Sequence, residues 1–364
     1  MRDELLHKNI NELLEIMPWY VKEYYHAKMA IPLSFRTMYE YLKEYKRFFT
    51  WLIDAGVCDA TEIKAIDLVI LEKLKKKDLE AYITYIRFPN DSSAPDRKRA
   101  GRQLSQVTVK RTITAISSLY TYLTEQTEDE EGEPYFYRNV TKKITLKAKR
   151  PTLQARANTI KSKLILDEDV DGLLIFIDEG YEKNLSKRAL ATFQRDRERD
   201  LAIIALFLAT GIRLSEAVNI DLKDLNLTNM NVEVTRKGDK RDVVAIAGFA
   251  KPYLENYLSI RKSKYKATTK PTAPLFVTIQ NKEKEARRLG DRSIEKLVGK
   301  YTEAYKVRVS PHKLRHSLAT RLYSVTKDPV MVSQQLGHAD GNTDLIGTYV
   351  HVVNDKTEEA LDKL

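Results

Sequence analysis

Apolar residues spaced three and four positions apart run through about the first 125 residues, and this period predicts that the segment is wholly helical. Ser34 is expected to cap one helix, which should end at Gly56. Asp78 is expected to open a second helix, and Ser105 a third. Because the connections between them are short, the pattern favours a compact helical bundle.

The second half keeps the helical period but interrupts it once with alternating apolar and polar residues. Segments 231–235 and 242–246 alternate in this way around Lys237 and Gly238, which predicts a β-hairpin. Helices are expected at 200–210, 214–219, 250–265, 293–305, 311–323, 329–336, near 344–351 and at 356–364. The predicted fold class is therefore mainly α with a small antiparallel β-sheet in the second domain.

A stretch without acidic residues separates the two halves, at positions 140–165. Its cations are Lys142, Lys143, Lys147, Lys149, Arg150, Arg156, Lys161 and Lys163. We expect a helical domain at 1–140, a basic linker at 141–168 and a second domain at 169–364. The linker is either an ordinary solvated segment or a strap that crosses a nucleic-acid backbone, where its repelling charges would be neutralised.

Overall charge favours a polyanionic partner. Lys and Arg number 62 against 51 Asp and Glu, which gives a formal net charge of +11. The single cysteine, Cys58, excludes a disulfide framework and a cysteine-based zinc site. No apolar run is long enough to span a membrane, and the acidic start does not resemble a signal peptide. We therefore expect a soluble protein of the cytoplasm.

Histidines concentrate near the end of the sequence, where four of the six lie within the last 53 residues. His312 and Arg315 share a face in the first turn of a helix that Pro311 begins, a position that favours an anion. The His312–His316 spacing also suits zinc, but Lys313 and Arg315 would place cations beside the metal. We therefore predict no metal and no cofactor.

An arginine, a lysine and a histidine also lie at three predicted turns or helix ends. Arg213 follows a helix end at Gly211, so it either points into a cleft or pairs with Glu216. Lys237 lies at the hairpin turn, where it is either solvated or held over a ligand. His338 follows Gly337 and is either a helix-capping side chain or part of the same site.

Taken in order, five runs of sequence form a recognisable set: 209–216, 236–241, 311–316, 336–338 and 349–351. They resemble the signature of the tyrosine recombinases (the phage-integrase family), which reads Arg…Lys…His-x-x-Arg…His…Tyr. The closest resemblance is to the Xer chromosome-dimer resolvases of the stand-alone XerS type. It extends over essentially the whole chain and implies a two-domain, C-shaped clamp.

The resemblance implies a role for each residue of the set. Arg213 and Arg315 would clamp the scissile phosphate, and Lys237 would protonate the leaving 5′-oxygen. His312 would assist proton transfer at the nucleophile, and His338 would hydrogen-bond the phosphate. Tyr349 would form a 3′-phosphotyrosyl link, which conserves the phosphodiester energy and requires neither ATP nor a metal ion.

The first half then resembles the core-binding domain of such a clamp. The helix after Ser105 is expected to present to the major groove a face made of Gln106, Thr108, Lys110, Arg111 and Thr112, although it is also consistent with an ordinary solvated face. Backbone phosphates would be bound by Arg99, Arg102, Lys147, Lys149 and Arg150. The final helix would dock into a neighbouring protomer. Expected partners are a dif-like double-stranded site, a homotetramer on two such sites and a septal DNA translocase, with no membrane.

Three alternatives stay open. Eleven positions separate His338 from Tyr349, a longer spacing than is usual in the family, so the chain could hold a site without cleaving it. A type IB topoisomerase would share the chemistry but relax supercoils without exchanging partners. An integrase of a mobile element would share both fold and reaction. The sequence does not reveal the target site, the order of strand exchange or the need for an activator.

Overall fold

The computed structural model describes residues 2–31, 33–88, 104–146, 152, 155, 159, 164–236, 238–279 and 286–337. The chain divides into two compact units, Met1–Arg150 and Pro151–Leu364. The division falls inside the expected linker, whose ends pack on the units: Thr141 is buried in the first and Ile165 in the second. The linker itself stays a prediction, because most of 147–163 lies outside the described residues.

The first unit is helical. Its helices are α1 (Arg2–Glu15), α2 (Trp19–Ala30), α3 (Phe35–Asp54), α4 (Leu68–Lys73), α5 (Lys76–Arg87) and α6 (Gln106–Glu125), with single 3₁₀ turns at Ile63–Ala65 and Val140–Lys143. As predicted, the Ser34 side chain caps α3 and the Ser105 side chain caps α6, each by accepting a backbone N–H three residues on. Gly56 follows α3 with a φ of +63°, which a residue with a side chain rarely adopts.

The expected start of α5 at Asp78 is wrong. Asp78 is the third residue of the helix, and its carboxylate accepts the backbone N–H of Lys75 at 2.8 Å. A carboxylate in the first turn can satisfy an N–H that precedes the helix, so the acidic residue that marks a helix start need not be the cap itself.

Buried tyrosines hold the first unit together. Tyr45 on α3 donates its hydroxyl to the carbonyl of Ala115 on α6 at 3.0 Å. Tyr120 on α6 donates to the carbonyl of Leu71 on α4 at 2.9 Å. Each ring adds apolar area to the core while its hydroxyl fixes the spacing between two helices. The apolar stripes of α3 and α6 therefore face one another.

The second unit surrounds a long central helix. Its helices are α7 (Glu168–Ile175), α8 (Lys187–Thr210), α9 (Leu214–Asn219), α10 (Lys251–Tyr265), α11 (Asp291–Tyr305), α12 (Pro311–Thr326) and α13 (Pro329–Leu336). Shorter turns lie at Phe176–Gly180, Tyr181–Asn184, Leu222–Asp224 and Gly248–Ala250. Antiparallel strands β1 (Leu225–Asn226), β2 (Asn231–Arg236) and β3 (Lys240–Ala245) form one sheet, and β4 (Val277–Ile279) and β5 (Ala286–Arg288) form another. The second sheet was not expected.

Helix α8 begins 13 residues earlier than the expected 200, after a cap at Ser186. The charged run before its apolar half folds as helix because its members pair with one another. Arg199 lies 2.7 Å from the Asp200 carboxylate and 3.3 Å from that of Asp196, and all three are buried. Apolar periodicity alone cannot reveal such a segment.

Strand β2 ends one residue later than expected, and strand β3 begins two residues earlier. Gly238 and Asp239 carry the positive φ values of a tight turn, so pairing continues to Arg236 and Lys240. Among the described residues, no helix is both long and apolar enough to cross a membrane. The fold class, mainly α with small antiparallel sheets, is confirmed.

Candidate active site

The carboxyl end of α13 collects three arginine side chains. Its last carbonyl oxygens have no partner within the helix and lie at the negative end of the helix dipole, so they attract cations. The pairs are Arg236 Nη2 to Gln335 O at 3.3 Å, Arg315 Nη2 to Leu336 O at 2.6 Å, and Arg213 Nη2 to Gly337 O at 3.3 Å. Three successive carbonyls thus bring together side chains from α12, β2 and the start of α9.

Arg315 is the most deeply buried of the three, at 2% exposed. Its Nη1 also donates to the carbonyl of Gly211 at 2.7 Å, which ties α12 to the end of α8. Gly211 has a φ of +65°, and a Cβ there would come within 2.9 Å of Leu318 and Leu336. The left-handed φ and these two contacts both favour glycine at this chain reversal.

Arg213 forms the salt bridge that its sequence position allows and also stays partly exposed. Its backbone N–H and its Nη1 donate to the Glu216 carboxylate at 2.7 and 2.8 Å, so the salt bridge is present. Its side chain nevertheless remains 38% exposed. A guanidinium held along one edge by a carboxylate still has N–H donors to offer to a bound anion.

Glu216 and Arg236 also lie in this cluster, although neither was among the predicted site residues. Glu216 is 3% exposed and accepts from Arg213 and, at 3.0 Å, from Arg236 Nη1. Arg236 follows Val232 and Val234 on the inward face of β2. A charged residue at a position where alternation demands an apolar one was the available signal.

His312 and His316 form a pair one helical turn apart on α12. Their Nε2 atoms lie 3.1 Å apart, so one proton lies between them when both rings are neutral. Partial burial, together with Arg315, Lys313 and Arg213, lowers the pKa of His312 below its ordinary value. The arrangement favours a neutral imidazole, able to accept a proton, beside two fixed guanidiniums.

Three of the predicted site residues, Lys237, His338 and Tyr349, lie outside the described residues. In the sequence, Lys237 directly follows Arg236 and His338 directly follows Gly337. Of the predicted set, the structure therefore brings together Arg213, His312 and Arg315. It also places there Arg236 and Gly337, the residues that precede Lys237 and His338. Among the described residues, no three metal-ligating side chains form a cluster.

Some of the predicted DNA-binding residues also lie outside the described residues, and others lie within them. Arg99, Arg102, Lys147, Lys149 and Arg150 lie outside the described residues.

On α6, Lys110 and Arg111 are exposed, whereas Thr108 is half-buried with its hydroxyl 2.9 Å from that of Ser105. The expectation that Thr112 is exposed is wrong. It is fully buried, and Arg47 donates to its hydroxyl at 3.1 Å.

Comparison with known proteins agrees with this geometry. The Phage integrase family model matches residues 181–356. Tyrosine recombinase XerS of Streptococcus pneumoniae (strain Hungary19A-6) is 53% identical over 364 residues, and that of Streptococcus mutans serotype c is 55% identical, each covering 100% of both chains. The chain belongs to the tyrosine recombinases. It is therefore a site-specific DNA strand-transferring enzyme.

Solved structures share the tyrosine recombinase fold. XerH bound to its difH substrate in a pre-cleavage complex is 24% identical with a TM-score of 0.58, over 90% of this chain and 78% of that one. A lambda integrase dimer bound to a COC′ core site is 13% identical with a TM-score of 0.55, over 91% and 94%. At these identities the likeness concerns the fold alone.

Proposed function

We propose that this recombinase cuts and rejoins DNA through a 3′-phosphotyrosyl intermediate at a dif-like site and thereby resolves chromosome dimers. The observation that carries the proposal is the convergence of Arg213 and Arg315 at the end of α13, with His312 close enough for their charges to lower its pKa. Two guanidiniums at one helix end match the charge that builds on the non-bridging oxygens when a phosphodiester is attacked.

In this mechanism the phenol of Tyr349 attacks phosphorus, and the bond to the 5′-oxygen breaks. Tyrosine has a pKa near 10, so it must lose its proton as it attacks, and neutral His312 is suited to accept it. Arg213 and Arg315 hold the phosphate oxygens, and His338 donates a further hydrogen bond. Lys237 gives a proton to the leaving oxygen. Rejoining is the reverse of these steps.

The substrate is double-stranded DNA, which the catalytic unit and the α6 face of the first unit would each contact. Lys110 and Arg111 would contact the duplex, together with Thr108, Arg99, Arg102 and the cations of segment 141–168. A homotetramer would assemble on two sites through the final helix, 356–364. Such a protein would act in the cytoplasm, with a septal DNA translocase as a further partner.

A nicked duplex carrying a dif-like site tests the reaction, because the fragment beyond the nick diffuses away and traps the covalent adduct. The wild-type protein should form a denaturation-resistant adduct, and Tyr349→Phe should abolish it while leaving the gel shift intact. Tyr137→Phe is the matched control, because it removes an exposed phenol hydroxyl in the first unit. Its adduct yield should equal that of wild type.

Each alternative has its own outcome. A wild-type protein that shifts the duplex but never attaches to it would be a binding protein and would refute the proposed chemistry. Relaxation of a plasmid without a recombination site would indicate a topoisomerase. Recombination at attachment sites that flank an element, but not at the dif-like duplex, would indicate an integrase.

A further inference from the structure

Arg236, the last residue of a hairpin strand, is held by acceptors on three separate elements. Its Nη1, Nε and Nη2 donate to three different groups: Glu216 Oε2 at 3.0 Å, Asp242 Oδ2 at 2.9 Å and Gln335 O at 3.3 Å. The guanidinium therefore joins α9, β3 and α13 at one point. It is also 9% exposed, and each of its three nitrogens already donates to a protein group.

The neighbouring backbone is shaped around this guanidinium. A Cβ on Gly337 would come within 2.5 Å of Arg236 Cζ and Nε, so the helix end closes against it. Glu216 bridges Arg236 to Arg213, which belongs to the phosphate clamp. Arg236 is therefore connected through one buried carboxylate to a residue that would touch the scissile phosphate.

The residue that follows Arg236 is Lys237, and the turn beyond it has the positive φ values of Gly238 and Asp239. A lysine with four rotatable side-chain bonds, next to a turn of small residues, would sample many positions unless its backbone were fixed. Arg236 is the last strand residue before that turn, and Lys237 follows it directly in the sequence.

We propose that Arg236 is a positioning residue that sets the Lys237 ammonium against the leaving 5′-oxygen, using Glu216, Asp242 and the end of α13 as its fixed points. The inference rests on the proposed function. In the affected step the P–O5′ bond breaks as the Tyr349–P bond forms, and one proton moves from the Lys237 ammonium to O5′. Arg236 itself exchanges no proton and touches no substrate.

A substrate whose bridging 5′-oxygen is replaced by sulfur distinguishes a role in proton donation from a role in phosphate binding or folding. A thiol has a pKa near 8.5, far below that of an alcohol, so a thiolate leaves without being protonated. A defect in proton donation should therefore disappear on the sulfur substrate, whereas a defect in phosphate binding or folding should persist. Single-turnover rates of adduct formation on both substrates, at saturating protein, are the measurement.

Arg236→Lys keeps the charge beside Glu216 but offers one nitrogen in place of the three that reach Glu216, Asp242 and Gln335. We expect its rate to fall about thirtyfold on the oxygen substrate and to stay within about threefold of wild type on the sulfur substrate. Arg236→Gln should show the same pattern with a larger loss. If Arg236→Gln unfolds early by circular dichroism, Arg236→Lys alone decides the question.

Arg241→Lys is the matched control on the same hairpin. Arg241 pairs diagonally with Glu233 at 2.9 Å on the outward face, as Arg236 pairs with Asp242 on the inward face. Its rates should match wild type on both substrates. In addition, Arg236→Lys should cause no further loss on the oxygen substrate when Lys237→Ala is already present, because the two changes remove the same step.

Equal losses on both substrates, or no loss on either, would overturn the assignment. An additive loss in the double variant would do so as well. Failure of the wild-type protein to form an adduct on either substrate is a different result. It would refute the proposed function, and the positioning role would be refuted with it.

Discussion

The cations of the catalytic pocket and those of the α6 face are held in different ways. In the pocket, Arg315 is buried and donates to two backbone carbonyls at 2.6 and 2.7 Å. On α6, the Arg111 side chain is 59% exposed, and its carboxylate partners Glu40 and Glu44 lie 3.4 and 3.7 Å away. The first arrangement fixes a guanidinium, and the second leaves it free to move.

The difference fits the roles proposed for the two regions. Charge that develops in a transition state appears at fixed atoms, and donors that are already in place lose nothing to reorganisation. Contacts to the backbone of a duplex tolerate movement, because they supply affinity and register rather than chemistry. Substitutions should therefore impair cleavage in the pocket and affinity on α6.

The largest effect should come from Arg315→Lys. A lysine cannot reach both carbonyls and also offer a planar fork to phosphate, so adduct formation should fall about 10³-fold. One buried carbonyl is left without a donor, so the free energy of unfolding should fall by about 2 kcal/mol. Single-turnover cleavage and urea unfolding measure the two effects. Arg308→Lys is the control, because Arg308 is exposed and pairs with Glu303. Cleavage by Arg315→Lys within tenfold of the control would contradict the fixed clamp.

A smaller effect should appear in the pH dependence. Because partial burial and nearby cations lower the pKa of His312, the rate should fall only below pH 6.5, by roughly tenfold per pH unit, as the ring becomes protonated. The unfolded chain binds this proton more readily, so the contribution to stability is complete above pH 6.5 and is lost as the pH falls.

Rates of the wild type and His312→Gln between pH 5 and 8 test this expectation, and the variant should lack the inflection. Repeating the series in high salt distinguishes the pocket from the α6 face, because salt screens exposed charges far more than buried ones. The midpoint should move little, whereas binding of the duplex should weaken markedly. A midpoint above pH 6.5 would show that the cations of the pocket do not lower the pKa of His312.

The sequence predicted those parts of the molecule that depend on local pattern. Capping at Ser34 and Ser105, the break at Gly211 and the limits of α9 and α13 follow from neighbouring residues. The sequence allowed the Arg213–Glu216 pair, but the second bond from Arg236 to the same carboxylate could not be predicted, since Arg236 lies on a different element.

The charged half of α8 was missed for the same reason. Its helix is stabilised by buried pairs between Arg199 and the two aspartates, not by apolar spacing. Likewise, the convergence of three arginines on α13 is a tertiary property. The motif order predicted that Arg213 and Arg315 meet, but not that Arg236 joins them at the same helix end.

The smallest effect should come from Arg111→Ala on α6. Losing one exposed phosphate contact should weaken duplex binding several-fold, by about 1 kcal/mol, for specific and unrelated sequences alike, and should reduce the salt slope by about one. Glu40→Gln is the matched opposite change, because it removes the carboxylate nearest to Arg111 and should tighten binding slightly. Gel shifts at several salt concentrations measure both. If Arg111→Ala weakened binding to the recombination site but not to other duplexes, Arg111 would contact bases. The α6 face would then need a fixed guanidinium, as the pocket does.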